Sequence, residues 1–162
     1  MELEELLVDT NGISDEGLEE LGREMYREIF LNKGKVGELT LHNGDPVVFH
    51  EDRYDHAFRC SPNRARNPHS KKAVARDRIE RMRWIKAILE GDIDDVECWI
   101  VPQQTKDRLY VVWKERYVIW LWSRKEGGWR FSSAYCAGRK DIRGYTRRGV
   151  KIKMNEKKMP RD

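Results

Sequence analysis

The chemistry open to this chain is that of imidazole, guanidinium and hydroxyl groups. Residues 52 to 58 read DRYDHAF and follow the short apolar run PVVFHE. His56 has an aspartate before it and two apolar residues after it, with Arg53 and Arg59 on either side. An unperturbed imidazole titrates near neutral pH and can give or take a proton there. Asp52 and Asp55 could orient the ring or raise its pKa. Taken alone, His56 reads as a histidine satisfied by its neighbours. His42, His50 and His69 lie in or near turns and read as surface.

Arg78 and Arg81 stand three apart in DRIERMRWI, so they flank one another on a helix surface. A planar five-donor fork suits phosphate. Their plain alternative is surface ion pairing with Asp77 and Glu80, which is worth little. In WRFSSAY, strict alternation puts Trp129, Phe131, Ser133 and Tyr135 on one strand face. Ser133 and Tyr135 could offer hydroxyls to a phosphate, beside an aromatic platform such as Trp129 for a base. The plain alternative is a packed sheet face. RNA cleavage by internal transfer needs this set of groups. A base takes the 2′-OH proton, an acid protonates the leaving 5′ oxygen, and cations stabilise the charge between them. No metal or cofactor is required. Glycine-rich phosphate loops, HExxH and GxSxG are absent from the sequence, and no carboxylates show metal-ligand spacing.

These groups need elements to hold them. Ser14 caps a predicted helix that carries Leu18, Leu21, Met25 and Ile29 as an apolar stripe and ends near Gly34. VGELTLHNGDPVVF predicts two short extended runs around Asn43-Gly44. CSPNRARNPHS reads as a loop made basic by Arg64 and Arg66. Residues 71–90 predict one long helix, capped by Ser70 and stopped by Gly91, with Arg83 largely off its apolar face. VECWIV, RLYVVW, RYVIWLW and WRFSSAY then predict four strands joined by short turns, an antiparallel meander. The imperfect alternation of YVIWLW predicts a central strand covered on both faces.

Charge divides the chain into three parts. Residues 1–30 hold ten acidic and two basic residues, a net of −8, while the other 132 hold 30 basic and 18 acidic, a net of +12. The expected organisation is an acidic arm over 1–34, an α+β domain over 35–136 and a basic tail over 137–162 that contains Arg139 and Lys140. A basic body is an electrostatic footprint for a polyanion such as nucleic acid. Arg64, Arg66, Arg83, Trp129, Arg139 and Lys140 are the candidate contacts. The acidic arm could lie across the basic surface and compete with RNA, or pack by its Leu/Met stripe. Cys60, Cys98 and Cys136 are odd in number and widely spaced, so no disulfide framework is implied. MELEELLVD lacks the basic and apolar stretches of an export signal, and no segment approaches a membrane span. The expectation is a cytoplasmic protein with reduced thiols, no membrane contact, no metal and no cofactor.

The order VVFHEDRYDHAF, then DRIERMRWI, then RFSSAY resembles the phage and mobile-element branch of the BECR nucleases, named for barnase, EndoU, certain colicins and RelE. The match runs from about Val47 to Tyr135, and DRIERMRWI is its most specific piece. The resemblance implies helices packed on one face of a four-stranded antiparallel sheet. It brings His56, Arg78, Arg81, Ser133 and Tyr135 together as the catalytic site of a toxin or effector ribonuclease. The implied target is RNA, often tRNA or ribosome-bound mRNA, with an immunity or antitoxin protein as a second partner. Ser133 stands where threonine is common, and Arg83 where small or proline residues are usual. The reading is therefore a metal-independent endoribonuclease. The alternatives are a non-catalytic nucleic-acid-binding module and a phage structural or assembly protein.

Overall fold

A computed structural model describes residues 1–32, 34–60, 73–102 and 106–154. A 3-10 turn at Leu3–Leu6 precedes helix α1, Asp15–Tyr26, whose N-terminus is capped by the Ser14 hydroxyl accepting from the Gly17 N–H at 3.1 Å. The helix widens into a π-helical stretch, Arg27–Leu31, and stops at Asn32 in the left-handed conformation. Strands β1, Val36–Thr40, and β2, Pro46–His50, form the expected hairpin around Asn43 and Gly44. Helix α2, Arg53–Phe58, carries the DRYDHAF residues. Two-residue strands β3, Arg59–Cys60, and β4, Ala73–Val74, pair with each other. Then come α3, Arg76–Glu80, and α4, Met82–Glu90. The meander follows as β5, Glu97–Pro102, β6, Lys106–Val112, β7, Tyr117–Ser123, and β8, Trp129–Cys136. Helix α5, Arg139–Arg147, and strand β9, Val150–Ile152, close the described chain.

The α+β class holds, but the four-stranded sheet does not. The main sheet has seven strands in the order β1-β2-β8-β7-β6-β5-β9. The four-strand meander leaves two open edges, and each is extended. On one side β2 joins β8 in parallel through Val47–Trp129 and Val48–Arg130, and brings β1 with it. On the other side β9 joins β5. Backbone donors and acceptors along an open strand edge are a template for further pairing, and both additions take up part of each edge within the chain. β7 is the middle strand, and its residues Tyr117 to Leu121 are all buried, as its apolar pattern predicts.

Two further expectations change, and a third holds. Residues 71–90 are not one helix. The chain bends at Arg81 (φ −104°, ψ 11°), and the break lets α3 pack on α1 and α2 while α4 turns to cover the sheet. The residues after Ala137 are not a tail up to Met154, because α5 and β9 are built into the second sheet face and the β5 edge. The acidic N-terminal helix packs by Leu18, Met25 and Tyr26, the contact its apolar stripe predicts.

The main core lies between the helices and one sheet face. Its centre is a run of aromatics in which Phe30 stacks on Phe49 at 4.3 Å and Phe49 on Phe131 at 4.9 Å. Burying rings of this size dominates the energy of a core. The Trp84 indole donates to the Leu3 carbonyl at 2.8 Å and ties the N-terminal turn to α4. The second sheet face is smaller. Val101, Leu109, Val111, Val118 and Trp120 are covered there by Ile142 of α5. Among the described residues, no helix is long and apolar enough to cross a membrane.

The far end of the second face is held by Glu97, which accepts from the indoles of Trp113 at 2.7 Å and Trp99 at 3.1 Å and pairs with Lys151 of β9 at 3.2 Å. Burial raises its pKa, but these donors outweigh burial and hold it below the usual carboxylate range. A depressed carboxylate contributes stability that is present above its unfolded pKa and is lost as pH falls through the folded one. The Trp99 and Trp113 indole N–H resonances are therefore expected to move as pH is lowered past the ordinary carboxylate range. Glu97→Gln should remove that transition.

Candidate functional site along the open half of strand β8

β2 pairs with β8 only at Trp129 and Arg130. Beyond that point the chain turns into α2, which packs along the remaining edge of β8 and against α3. The edge is irregular. Trp120 of β7 faces Ser133, but Leu121 faces Phe131, so Ser132 is an extra residue in β8. The bulge breaks the strict alternation expected of this strand. Phe131 and Ala134 point into the main core, and Trp129 packs against it, with Arg108 over its ring at 4.4 Å. Ser133 and Tyr135 face the other way, toward Trp120 and α5. Trp129 is therefore not a platform beside Ser133 and Tyr135, because the inserted residue rotates the second half of the strand by one position.

Arg53 anchors α2 to the bulge. Its Nε donates to the Ser132 carbonyl at 2.7 Å and its Nη2 to the Ser132 Oγ at 3.3 Å. His56 is exposed, three residues on, so it stands beside Arg53 on the helix surface. Asp55 gives its carboxylate to Arg23 of α1, which also pairs with Glu19 at 2.8 Å. Arg78, only 9% exposed, donates from Nη1 to the Ala57 carbonyl at 3.1 Å and lies over the Tyr135 ring at 5.2 Å. It thus links the residue after His56 to Tyr135. The Tyr135 hydroxyl oxygen accepts from the Trp120 indole at 3.1 Å and lies 3.1 Å from the Tyr145 hydroxyl of α5. Burial, then the bond to Tyr135, pushes the Tyr145 pKa well up, so that phenol stays protonated.

His56, Arg78, Ser133 and Tyr135 belong to the elements that meet at the open half of β8. Arg81 lies over Trp84 at 5.2 Å, donates to the Asp77 carbonyl at 3.0 Å and stands 3.9 Å from Glu80, much as the surface-pairing reading has it. Its field still reaches Cys136 and Tyr117 at the end of the same strand pair. Arg83 is exposed on α4, and Arg139 and Lys140 are exposed on α5. Arg64, Arg66 and His69 lie outside the described residues. His42, read as surface, is half-buried at the β1–β2 turn, with its Nε2 3.0 Å from the Tyr110 hydroxyl. Burial lowers its pKa.

Sequence reasoning missed Arg53, Trp122, Arg130 and Tyr145. Arg53 lies over the Trp122 ring at 4.4 Å, and Arg130 lies 5.5 Å from the same ring. The available signal was Arg53 one helical turn before His56, and Arg130 between two aromatics in WRF. Among the described residues, no group of three or more His, Cys, Asp or Glu is placed to hold a metal ion. The chain matches no family model, and no curated protein or solved structure is detectably similar to it.

Proposed function

We propose that the protein is a metal-independent endoribonuclease that cleaves RNA by 2′-OH transfer, as the resemblance to the BECR nucleases implies. The observation that carries this reading is the Arg78 link between α2 beside His56 and the ring of Tyr135. It joins the elements bearing an imidazole, a guanidinium and a phenol at one strand edge. His56 takes the proton of the ribose 2′-OH, and that oxygen forms a new bond to the adjacent phosphorus. The bond from phosphorus to the 5′ oxygen breaks, and Tyr135 gives the leaving oxygen a proton. Arg78 and, at longer range, Arg81 stabilise the charge that builds on the non-bridging oxygens. Trp120 and Tyr145 support the phenolate as it forms, and Ser133 helps to position the scissile group. The products are a 2′,3′-cyclic phosphate and a 5′-hydroxyl.

Incubating purified protein with labelled total RNA in EDTA tests this. Cleavage leaving 2′,3′-cyclic ends is expected, and intact RNA under those conditions would count against it. A second reading, a non-catalytic nucleic-acid-binding module, is favoured by α5. Arg139, Lys140, Arg143, Arg147 and Arg148 are all exposed there, and none of them depends on His56. That reading predicts RNA retention without new RNA ends.

A further inference from the structure

Trp122 and Arg130 are directly opposed on β7 and β8, so their side chains share a sheet face. Trp122 follows Val118 and Trp120 at two-residue intervals, which puts this face on the same side as α5. Arg53 reaches the same ring from α2, around the edge of β8. Two guanidinium groups therefore meet on one indole.

Two cations brought this close ordinarily need an anion between them. Among the described residues, neither Arg53 nor Arg130 has an ion-pair partner. The set of ion pairs includes neither one, and Asp52, exposed just before α2, makes no pair with Arg53. Burial, and then the charge of Arg130, lowers the Arg53 pKa. The Arg130 Nε is buried and has no hydrogen-bond partner among the described residues. Arg53 uses Nε and Nη2 on Ser132 and makes no hydrogen bond from Nη1 among the described residues. The indole explains how the pair is held. A cation–π contact attracts a guanidinium by the ring face and consumes none of its N–H donors. An ion pair with a carboxylate would have used those donors up.

We propose that Arg53 and Arg130, held on Trp122, bind a backbone phosphate of single-stranded RNA. The ligand is an extended polyanion rather than a lone phosphate, because α5, which covers the same sheet face, carries further exposed basic residues. Arg53 stands one helical turn before His56 on α2, so the phosphate it holds would be near the one that reacts. The inference rests on RNA being the ligand, but not on its being cut. It assigns Arg53 and Arg130 to binding, with Trp122 as a positioning residue that touches the two arginines.

The test is fluorescence anisotropy of the full chain with a labelled 12-nucleotide single-stranded RNA of mixed sequence, over a range of salt concentrations, with cleavage followed in parallel in EDTA. Arg130→Gln is the main variant, because Arg53 also holds the bulge and its loss would disturb the fold. Arg130→Met keeps the apolar stem against Trp122 and takes its place if Arg130→Gln lowers the melting temperature. Either is expected to weaken binding about ten-fold and to reduce the log–log salt slope by about 0.7, the value for one phosphate contact on a single strand. Arg130→Lys keeps a point charge and should retain the slope while losing part of the affinity. Unchanged affinity and slope in folded Arg130→Gln would overturn the proposal, and so would a wild type that does not bind the RNA. Arg130-dependent binding without any cleavage would overturn the endoribonuclease reading and leave this site standing.

Discussion

His56→Ala is expected to reduce RNA cleavage in EDTA by about 10²–10⁴-fold, the usual worth of a positioned acid or base. The side chain is exposed on α2, so the variant should fold as the wild type does, with a melting temperature within a few degrees. RNA affinity should change little, because the Arg53–Arg130 pair and the α5 cations remain. This combination separates the two leading readings. A binding module would keep its whole effect after the substitution. A ribonuclease would lose turnover and keep its hold on RNA. Expression in a host supplies the same contrast cheaply. Growth should slow with the wild type and recover with His56→Ala, and equal growth with both would argue against catalysis at this imidazole.

The largest expected effect on stability comes from a smaller change, Gly37→Ala. β1 runs directly against the π-helical stretch at this residue. A Cβ there would stand 1.7 Å from the Phe30 carbonyl oxygen and 2.6 Å from its carbon. Both are backbone atoms, and Phe30 itself is locked in the aromatic core against Phe49. No rotamer change can relieve the overlap, so β1 or the π-helical stretch must move. A cost on the order of 4 kcal/mol or more is expected, which places the variant among the rare severe single substitutions. For a chain of this size the melting temperature should fall by roughly 10 °C. Gly144 gives the control. A Cβ at that helical position in α5 meets nothing within 4 Å, so Gly144→Ala should be neutral or stabilise by up to about 1 kcal/mol. Equal melting temperatures for the two variants would show that β1 does not approach Phe30 so closely.

The parts of this fold legible in the sequence are those governed by neighbours along the chain. Ser14 announces its cap, Asn43-Gly44 its hairpin, and the unbroken apolar run from Tyr117 to Trp122 its place at the centre of the sheet. The α+β class follows from the same patterns. What could not be read depends on distant residues. Nothing in PVVFH says that it will lie parallel to WRFSS, some eighty residues later. Nothing in the three residues VKI says that they will close the β5 edge. The helix over 71–90 misleads for the same reason, since its apolar periodicity runs straight through Arg81 while packing on two different surfaces bends it there. For the site, His56, Arg78 and Tyr135 were legible as types of chemistry. Arg53 and Arg130 were not, because an arginine looks the same in sequence whether it faces solvent or a tryptophan. The single-residue bulge at Ser132 also leaves no periodic trace, yet it decides which side chains of β8 share a face.

The parallel seam between β2 and β8 has a consequence for the order of events during synthesis. β5 to β8 are joined by short turns and can assemble as soon as they leave the ribosome, since contacts between sequence neighbours form fastest. The first sixty residues have no such option. Their hairpin has no strand to join, and α2 has no edge to lie along, until residue 136 has emerged. The N-terminal part of the chain is made first but is completed only after the meander, a reversal of the usual vectorial sequence. Because α2 and β8 bring the candidate groups from opposite ends of that interval, the nascent chain carries no assembled candidate site until β8 has emerged.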